Sequence, residues 1–336
     1  NLLTVRLAKA DRAISDWTFR QTVMDAVRAA IFAYSDLVLA HENLRIAQRT
    51  RELAAGSLAE SEKRYKVGFY SESDTTQARA QVASREEGIL LAQRAVRDRD
   101  NALRQLMGEG TFSLSGPLLV IETPAAADID AEPARDLKKA YELRPDYQAT
   151  RLGLVRYRAT EISARNQLLP QVDVVGSYGY SGLDADFATS RRMVGNEENR
   201  SYSAGVVVTV PLTFAEGRGR ASAARLSLRQ AEASLQLLEQ AIALSVTTAA
   251  GQIETARERV KATRVSSDLA DQALDAGQKK LLADPGSTFE ILSLQLNVSG
   301  AESSMYGAIA DLRRAIANYE HETGTTLERH HLSVGY

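Results

Sequence analysis

The sequence predicts a mainly helical protein made of long antiparallel helical hairpins, with a small β part. Three observations predict this fold class. Alanine, leucine, arginine, glutamate and glutamine dominate long stretches of the 336 residues, which include only 6% aromatics and 7 prolines. Apolar residues recur at helical spacing over stretches longer than a compact domain uses. The chain also contains an internal repeat, which carries the most information of the three.

The repeat aligns residues 19–108 with residues 235–324 without a gap. Chemically similar pairs fill the spaces between identical ones. The identical pairs include Ala40/Ala256, Glu42/Glu258, Leu53/Leu269, Ser71/Ser287, Val82/Val298 and Gly108/Gly324. Each copy therefore predicts the same pair of antiparallel helices.

In the first copy we expect a long helix, a turn at 67–71 and a return helix over about 74–107. In the second copy we expect helices over about 221–282 and 289–322, with a break at 284–287. A 45-residue helix is roughly 65–70 Å long. Helices of this length bury narrow stripes against their neighbours, as coiled coils do.

The segment between the copies changes character. Residues 116–132 predict an irregular connection, and one helix is expected from near Pro133 until Pro170 ends it. Two β-type runs follow at 171–180 and 202–212, separated by a polar loop at 181–201. Each run has about ten residues, the length of a tilted transmembrane strand. The candidate barrel-strand residues are Val172, Val174, Tyr178, Tyr180, Tyr202, Val206, Val208 and Val210.

The strands alone fit either a membrane barrel or a soluble hairpin that decorates a helical protein. A single hairpin cannot span a bilayer, because its edges leave backbone groups unsatisfied. The membrane interpretation therefore requires further strands, from duplication, from oligomerisation or from both. Extending the repeat backwards places a counterpart of the strand pair upstream of Asn1, and we expect the intact protein to carry it.

Several function classes are disfavoured by the residue types. The absence of cysteine excludes a disulfide scaffold and a thiolate site. The four histidines, His41, His321, His330 and His331, form no metal-ligand or catalytic pattern. A net charge of −2 gives no reason to expect a nucleic-acid partner. The sequence therefore predicts no enzyme activity, no cofactor and no metal.

Short motifs in this chain resemble the outer-membrane efflux protein (TolC) family, in the family's order and across essentially the whole sequence. They are Ala-Tyr-Ser-Asp-Leu-Val at 33–38, Arg-Tyr-Lys-Val-Gly at 64–68, Leu-Arg-Pro-Asp at 143–146, Leu-Leu-Pro-Gln at 168–171, and Val-Pro-Leu at 210–212 followed by Gly217 and Arg218. Each motif is short, but their order and the internal repeat make the set specific.

The resemblance implies an exit duct in the outer membrane of a Gram-negative-type bacterium, with a long periplasmic part. It implies a homotrimer, in which each copy gives four strands to a shared twelve-stranded barrel in outer-membrane lipid and long helices to a periplasmic tunnel. A periplasmic adaptor (membrane fusion protein) and an inner-membrane transporter would load substrates for small-molecule efflux or type I secretion. The rival interpretation is a soluble coiled-coil structural or interaction protein.

The resemblance also implies two kinds of site. The hairpin tips, Val67, Gly68 and Phe69 in one copy and Asp284, Pro285 and Gly286 in the other, would dock the adaptor. Glu290, Ser293 and Asp74 would form the entrance constriction. Because Ser293 stands where the family often has a second acid, we expect one acidic ring and weaker cation selectivity. Alternatively, Glu290 is a helix N-terminal acid that complements the helix dipole.

These expectations define six segments. The first hairpin repeat occupies 1–110, an irregular connection 111–135, and a helix leading to the barrel 136–169. The barrel hairpin occupies 170–213, the second hairpin repeat 214–324, and a C-terminal tail 325–336.

Overall fold

The computed structural model describes residues 2–108, 118, 129–197, 199–210, 215–283 and 288–334. Its elements confirm a mainly helical fold with a small β part. In chain order they are α1 (Leu2–Lys66), α2 (Glu72–Leu106), α3 (Pro133–Leu143), α4 (Pro145–Asn166), β1 (Gln171–Tyr180), α5 (Phe187–Gly195), β2 (Arg200–Thr209), α6 (Ala215–Ala283), α7 (Thr288–Glu322) and α8 (Thr326–Arg329).

Very long helices are present in both copies of the repeat. Helix α1 has 65 residues and α6 has 69, while the return helices α2 and α7 have 35 each. Gly108 and Gly324, which the repeat aligns, follow the return helices with φ values of 74° and 76°. Glycine is favoured there because a Cβ makes the left-handed conformation costly.

Three predicted boundaries differ from the observed ones. The single helix expected from Pro133 is two helices, because Pro145 forces Arg144 into an extended conformation with ψ of 121°. The expected loop 181–201 contains α5, whose first turn is capped by the Asp186 side chain accepting from the Thr189 amide at 3.1 Å. Strand β2 ends at Thr209, so Val210 lies just beyond the strand to which it was assigned. Most of the connection 111–135 and residues 284–287 lie outside the described residues.

The chain divides into two compact units, residues 16–148 with 238–336, and residues 1–15 with 149–237. In the larger unit, the main apolar core lies between α6 and α7. Ile242, Val246 and Ile253 of α6 are each 1% exposed, and they cluster with Ala308 and Leu312 of α7. A second cluster joins α1 to α2, and a third packs Leu53 of α1 against α6 and α7.

Polar contacts show which of the four long helices in this unit are neighbours. Arg51 of α1 donates to Glu86 of α2 at 2.9 Å, and Ser303 of α7 donates to Asn43 of α1 at 2.9 Å. Arg259 of α6 donates to Asp311 of α7 at 2.6 Å. These contacts place α1 beside α2 and α7, and α7 beside α6, while Arg49 of α1 also reaches Asp271 of α6 at 3.4 Å.

The smaller unit contains the β-hairpin and the helical segments next to it. Helix α4 pairs through Arg156 with Asp11 of α1 at 3.2 Å, and through Arg158 with Glu232 of α6 at 3.7 Å. Strands β1 and β2 are antiparallel, with Gln171 opposite Thr209 and Tyr180 opposite Arg200. The loop containing α5 joins the strand ends that lie away from α4 and α6.

Gly324 offers a direct test of the packing at the end of α7. A Cβ at this position would lie 2.8 Å from the Leu143 carbonyl carbon and 2.9 Å from the Arg144 nitrogen. We therefore expect Gly324→Ala to destabilise the fold by about 2 kcal/mol, measured as the shift in denaturant-unfolding midpoint. Gly300→Ala is the control, because Gly300 lies inside α7 with open space at its Cβ. That substitution should stabilise by up to about 1 kcal/mol, and equal losses in both variants would contradict the argument.

Candidate functional site

The tip of the first hairpin exposes two large apolar side chains. Val67 is 67% exposed and Phe69 is 74% exposed. Gly68 between them has φ of 80°, and its amide donates to the Tyr65 carbonyl at 2.9 Å. The Phe69 amide donates to the Arg64 carbonyl at 2.9 Å, which completes the hydrogen-bond pattern of a Schellman cap. The cap fixes the tip backbone and leaves both apolar side chains in solvent.

Asp74, which was predicted at the entrance constriction, forms the capping box that starts α2. Its carboxylate accepts from the Ser71 amide at 2.9 Å, and the Ser71 hydroxyl accepts from the Asp74 amide at 3.3 Å. The backbone and hydroxyl hydrogen bonds from Ser71 lower the pKa of the Asp74 carboxyl. Asp74 therefore has a structural role at the first tip.

The described flank of the second tip carries the other two predicted constriction residues. Glu290 and Ser293 are both exposed on α7 and, three residues apart, lie on one face of that helix. Lys280 of α6 pairs with the Glu290 carboxylate at 3.3 Å. Sequence reasoning did not identify Lys280, although opposite charges on either side of a predicted turn were a usable signal. The docking residues predicted at this tip, Asp284, Pro285 and Gly286, lie outside the described residues.

The β-hairpin has two chemically different faces. Its strand register places the predicted residues Val172, Val174, Tyr178, Tyr180, Tyr202, Val206 and Val208 on one face. Large apolar side chains on this face are exposed, and Val174 reaches 84%. The Tyr178 and Tyr180 rings meet edge to face, with centroids 5.5 Å apart, at the end next to the α5 loop.

The opposite face of the hairpin is rich in small and polar residues. Ser177 and Ser203 are opposite each other there, with their hydroxyls 2.9 Å apart. Asp173, Gly179, Ser201, Gly205 and Thr209 continue the same face, which also carries Val175 and Val207. An apolar outer face with aromatic residues at one end and a polar inner face is the pattern of a transmembrane barrel strand.

A polar clasp holds the larger unit together where α3, α4, α6 and α7 converge. The Arg144 guanidinium donates to Asp146 Oδ2 at 2.7 Å, to Glu322 Oε2 at 2.6 Å and to Ser245 Oγ at 3.2 Å. The Leu-Arg-Pro-Asp motif at 143–146 contains both Arg144 and Asp146, so its role here is to join these helices.

His321, next to the clasp, is 8% exposed and fully engaged. Its Nε2 lies 2.8 Å from Asp25 of α1, and its Nδ1 lies 3.1 Å from the Arg28 guanidinium. Within the part of the chain that the structure describes, no group of three or more His, Asp or Glu side chains is placed to hold a metal ion. In the same residues, no helix has a stretch sufficiently long and apolar to cross a membrane.

Paired helices of this length, together with a β-hairpin that has one apolar and one polar face, define the class of membrane-duct proteins. The model of the outer membrane efflux protein family matches residues 2–109 and 137–318. The chain belongs to the outer membrane efflux protein family.

Individual relatives agree with this assignment. Outer membrane protein TolC of Vibrio cholerae serotype O1 is 20% identical over 317 residues, which cover 90% of this chain and 70% of TolC. The Campylobacter jejuni CmeC outer membrane channel superposes with a TM-score of 0.81 at 17% identity, over 96% of this chain and 67% of CmeC. VceC of Vibrio cholerae superposes with a TM-score of 0.80 at 17% identity, over 96% of this chain and 75% of VceC. The two superpositions show a shared fold.

Family membership defines the general function. The chain is the duct component of an efflux system in the outer membrane, with a helical tunnel in the periplasm. Its family is a family of channels and not of enzymes.

The clasp predicts an acid-dependent loss of stability. The His321 ring, Ser245 and the Arg144 guanidinium lower the pKa of the Glu322 carboxyl to about 2, against the opposing effect of burial. Because the folded pKa lies below the unfolded value, this stability is present above about pH 4.5 and disappears as the pH falls towards 2. We expect Glu322→Gln to be about 2 kcal/mol less stable than the wild type at pH 7.

Denaturant unfolding at several pH values measures this difference. The difference in the free energy of unfolding between the wild type and Glu322→Gln should narrow steadily from pH 5 to pH 2. Over this range the Glu322 carboxyl becomes neutral in both the folded and the unfolded protein. A gap that does not change over this range would contradict the assigned role of Glu322.

Proposed function

We propose that three copies of this chain assemble into one duct, with a shared β-barrel in the outer membrane and a common helical tunnel in the periplasm. We also propose that the helical tips dock a periplasmic adaptor, which couples the tunnel to an inner-membrane transporter. In this arrangement residues 1–110 and 214–324 form the tunnel wall and residues 170–213 contribute to the barrel. Residues 111–135 form an irregular connection after the first hairpin repeat, and residues 136–169 lead to the barrel. Residues 325–336 form a C-terminal tail.

The unpaired edges of the β-hairpin are the main support for the proposed trimeric barrel. Among the described residues, β1 and β2 pair with each other and with no further strand. Each strand therefore has a free edge, whose backbone groups need partners inside a bilayer. Strands contributed by other copies would satisfy these edges, and closing a barrel would abolish them.

The tunnel wall supports the same assembly. Apolar side chains remain exposed on α2 and α6, with Leu91 of α2 at 63% and Leu244 of α6 at 69%. Val265 and Leu269 continue the exposed apolar positions of α6 at intervals that suit helix packing. These exposed residues belong to two different helices. If α2 of one copy meets α6 of the next, the contact is head-to-tail, and such contacts generate a ring when the rotation closes.

The exposed tip supports adaptor docking. Val67 and Phe69 present apolar area on a backbone that the Schellman cap holds in place. A rigid apolar anchor of this kind loses little conformational entropy on binding. We assign the same role to Asp284, Pro285 and Gly286 on the strength of the repeat. Glu290, Ser293 and Asp74 are assigned to the entrance constriction, and Asp74 also caps α2 at the first tip.

The two faces of the hairpin give a test of the barrel. Val174→Arg places a charge on the apolar face and should cost about 2–4 kcal/mol per copy if the residue meets the bilayer core. Val175→Arg is the matched control on the opposite face. Protease protection after refolding into lipid vesicles should fall sharply for the first variant and less for the second. Light scattering of the wild type in detergent should give the mass of a trimer, and a monomer with equally tolerant faces would contradict the proposal.

Adaptor docking at the first tip is tested by substitutions of Phe69. Phe69→Asp should weaken adaptor binding at least about tenfold, because a charge replaces an apolar anchor. Phe69→Leu, which keeps the apolar character, should bind within about twofold of the wild type. The measurement is the affinity of the detergent-solubilised protein for the periplasmic adaptor of the same bacterium. Equal binding by both variants would remove this tip from the docking surface.

A further inference from the structure

An ion pair crosses the second hairpin next to its tip. The Lys280 Nζ of α6 lies 3.3 Å from Glu290 Oε1 and 3.4 Å from Glu290 Oε2. Both side chains are more than half exposed, at 65% and 51%. The pair therefore faces solvent, and both of its charges are accessible to a passing ion.

Close packing of α6 on α7 sets the separation that this pair spans. A Cβ at Gly277 would lie 2.5 Å from Leu294 Cδ1 and 3.3 Å from Ile291 Cδ1, so the helices can approach this closely because residue 277 has no side chain. Lys280 follows Gly277 by three residues, and Glu290 precedes Leu294 by four. Both charged residues are thus about one helical turn closer to the tip than the contact.

The first hairpin shows that the pair is not a general consequence of the repeat. The repeat aligns Arg64 with Lys280 and Asp74 with Glu290, so both tips carry a base before the turn and an acid after it. In the first hairpin, Asp74 serves the capping box with Ser71, and the Arg64 guanidinium contacts Glu60 at 3.0 Å and lies 5.5 Å from the Tyr70 ring centre. In the second hairpin, the base and the acid bind each other.

We propose that Lys280 is a selectivity-determining residue of the channel, because it compensates the charge of Glu290 at the tunnel entrance. This inference rests on the proposed trimeric duct and on the placement of Glu290 at its entrance. Three copies would then present three Lys280–Glu290 pairs to a permeating solute. A ring of three carboxylates repels anions and concentrates cations, whereas a ring of paired charges has little net preference.

Removing one partner should therefore change the ion preference and leave the fold intact. Exposed ion pairs contribute little to stability, since water and salt screen them. The neighbouring Lys279 provides a matched control. Its Nζ lies 2.6 Å from Asp275 on the same helix, so Lys279→Gln removes the same charge without freeing Glu290.

The experiment measures reversal potentials of the intact protein in planar lipid bilayers under a KCl gradient. Lys280→Gln should raise the ratio of potassium to chloride permeability by about threefold or more. Lys279→Gln should leave that ratio within about 1.5-fold of the wild type, because Lys279 pairs with Asp275 and Glu290 keeps its Lys280 partner. Glu290→Gln should shift the ratio towards chloride, and the double variant Lys280→Gln/Glu290→Gln should return close to the wild-type value. The shift caused by Lys280→Gln should shrink in 1 M salt, where the Debye length is about 3 Å.

Two outcomes would overturn this inference while leaving the channel in place. One is equal shifts from Lys279→Gln and Lys280→Gln, and the other is a strongly cation-selective wild type that Lys280→Gln does not change. A wild-type protein that forms trimers but gives no conductance would instead overturn the proposed duct itself. Single-channel conductance of each variant, compared with the wild type, shows whether the pore has assembled.

Discussion

The structure depends on one packing constraint: a helix of more than 60 residues can bury only a narrow stripe along its length. Helices α1, α2, α6 and α7 satisfy this constraint by burying such stripes against one another. Alanine at positions such as 40 and 54 lets the backbones approach, and both residues are buried. Apolar residues such as Leu91 of α2 and Leu244 of α6 nevertheless remain exposed.

Polar contacts then fix how α3, α4, α6 and α7 meet. Arg144 is half-buried among partners from three other segments, and its hydrogen bonds to Asp146, Ser245 and Glu322 leave little freedom in how those segments meet. Gly324 allows the chain to pass so close to Leu143 that no side chain fits between them. A charged clasp of this kind is worth more as a geometric constraint than as a source of stability, because burying its charges costs free energy.

The two hairpin tips place equivalent charged residues in different contacts. Both carry a base before the turn and an acid after it, yet the contacts made by these charges differ. In the first tip the acid starts a helix, and the apolar residues beside Gly68 remain exposed. In the second tip the acid meets a lysine from the opposite helix. This difference accords with the proposed control of ion passage at the second tip, whereas docking is proposed for both tips.

Much of this architecture can be predicted from the sequence, because helical periodicity and the placement of glycine are local signals. The repeat predicted both long hairpins, and the turn at Gly68 and the strand at 171–180 were found where the residue pattern placed them. Local signals failed at three places. They missed the break at Pro145, the helix inside the loop 181–201 and the end of β2.

The long-range partners of charged side chains were beyond the reach of local signals. Nothing in the spacing of Arg144 and Glu322 shows that they meet, since 178 residues separate them along the chain. Asp74 and Glu290 occupy equivalent positions in the repeat, and only the packing of α6 on α7 gives the second a lysine partner. The sequence by itself determined the long helices, the approximate positions of the two strands and the resemblance to the family that the family model then matched. The tertiary structure decided which charges are paired, because pairing depends on distances that exist only after the helices have packed.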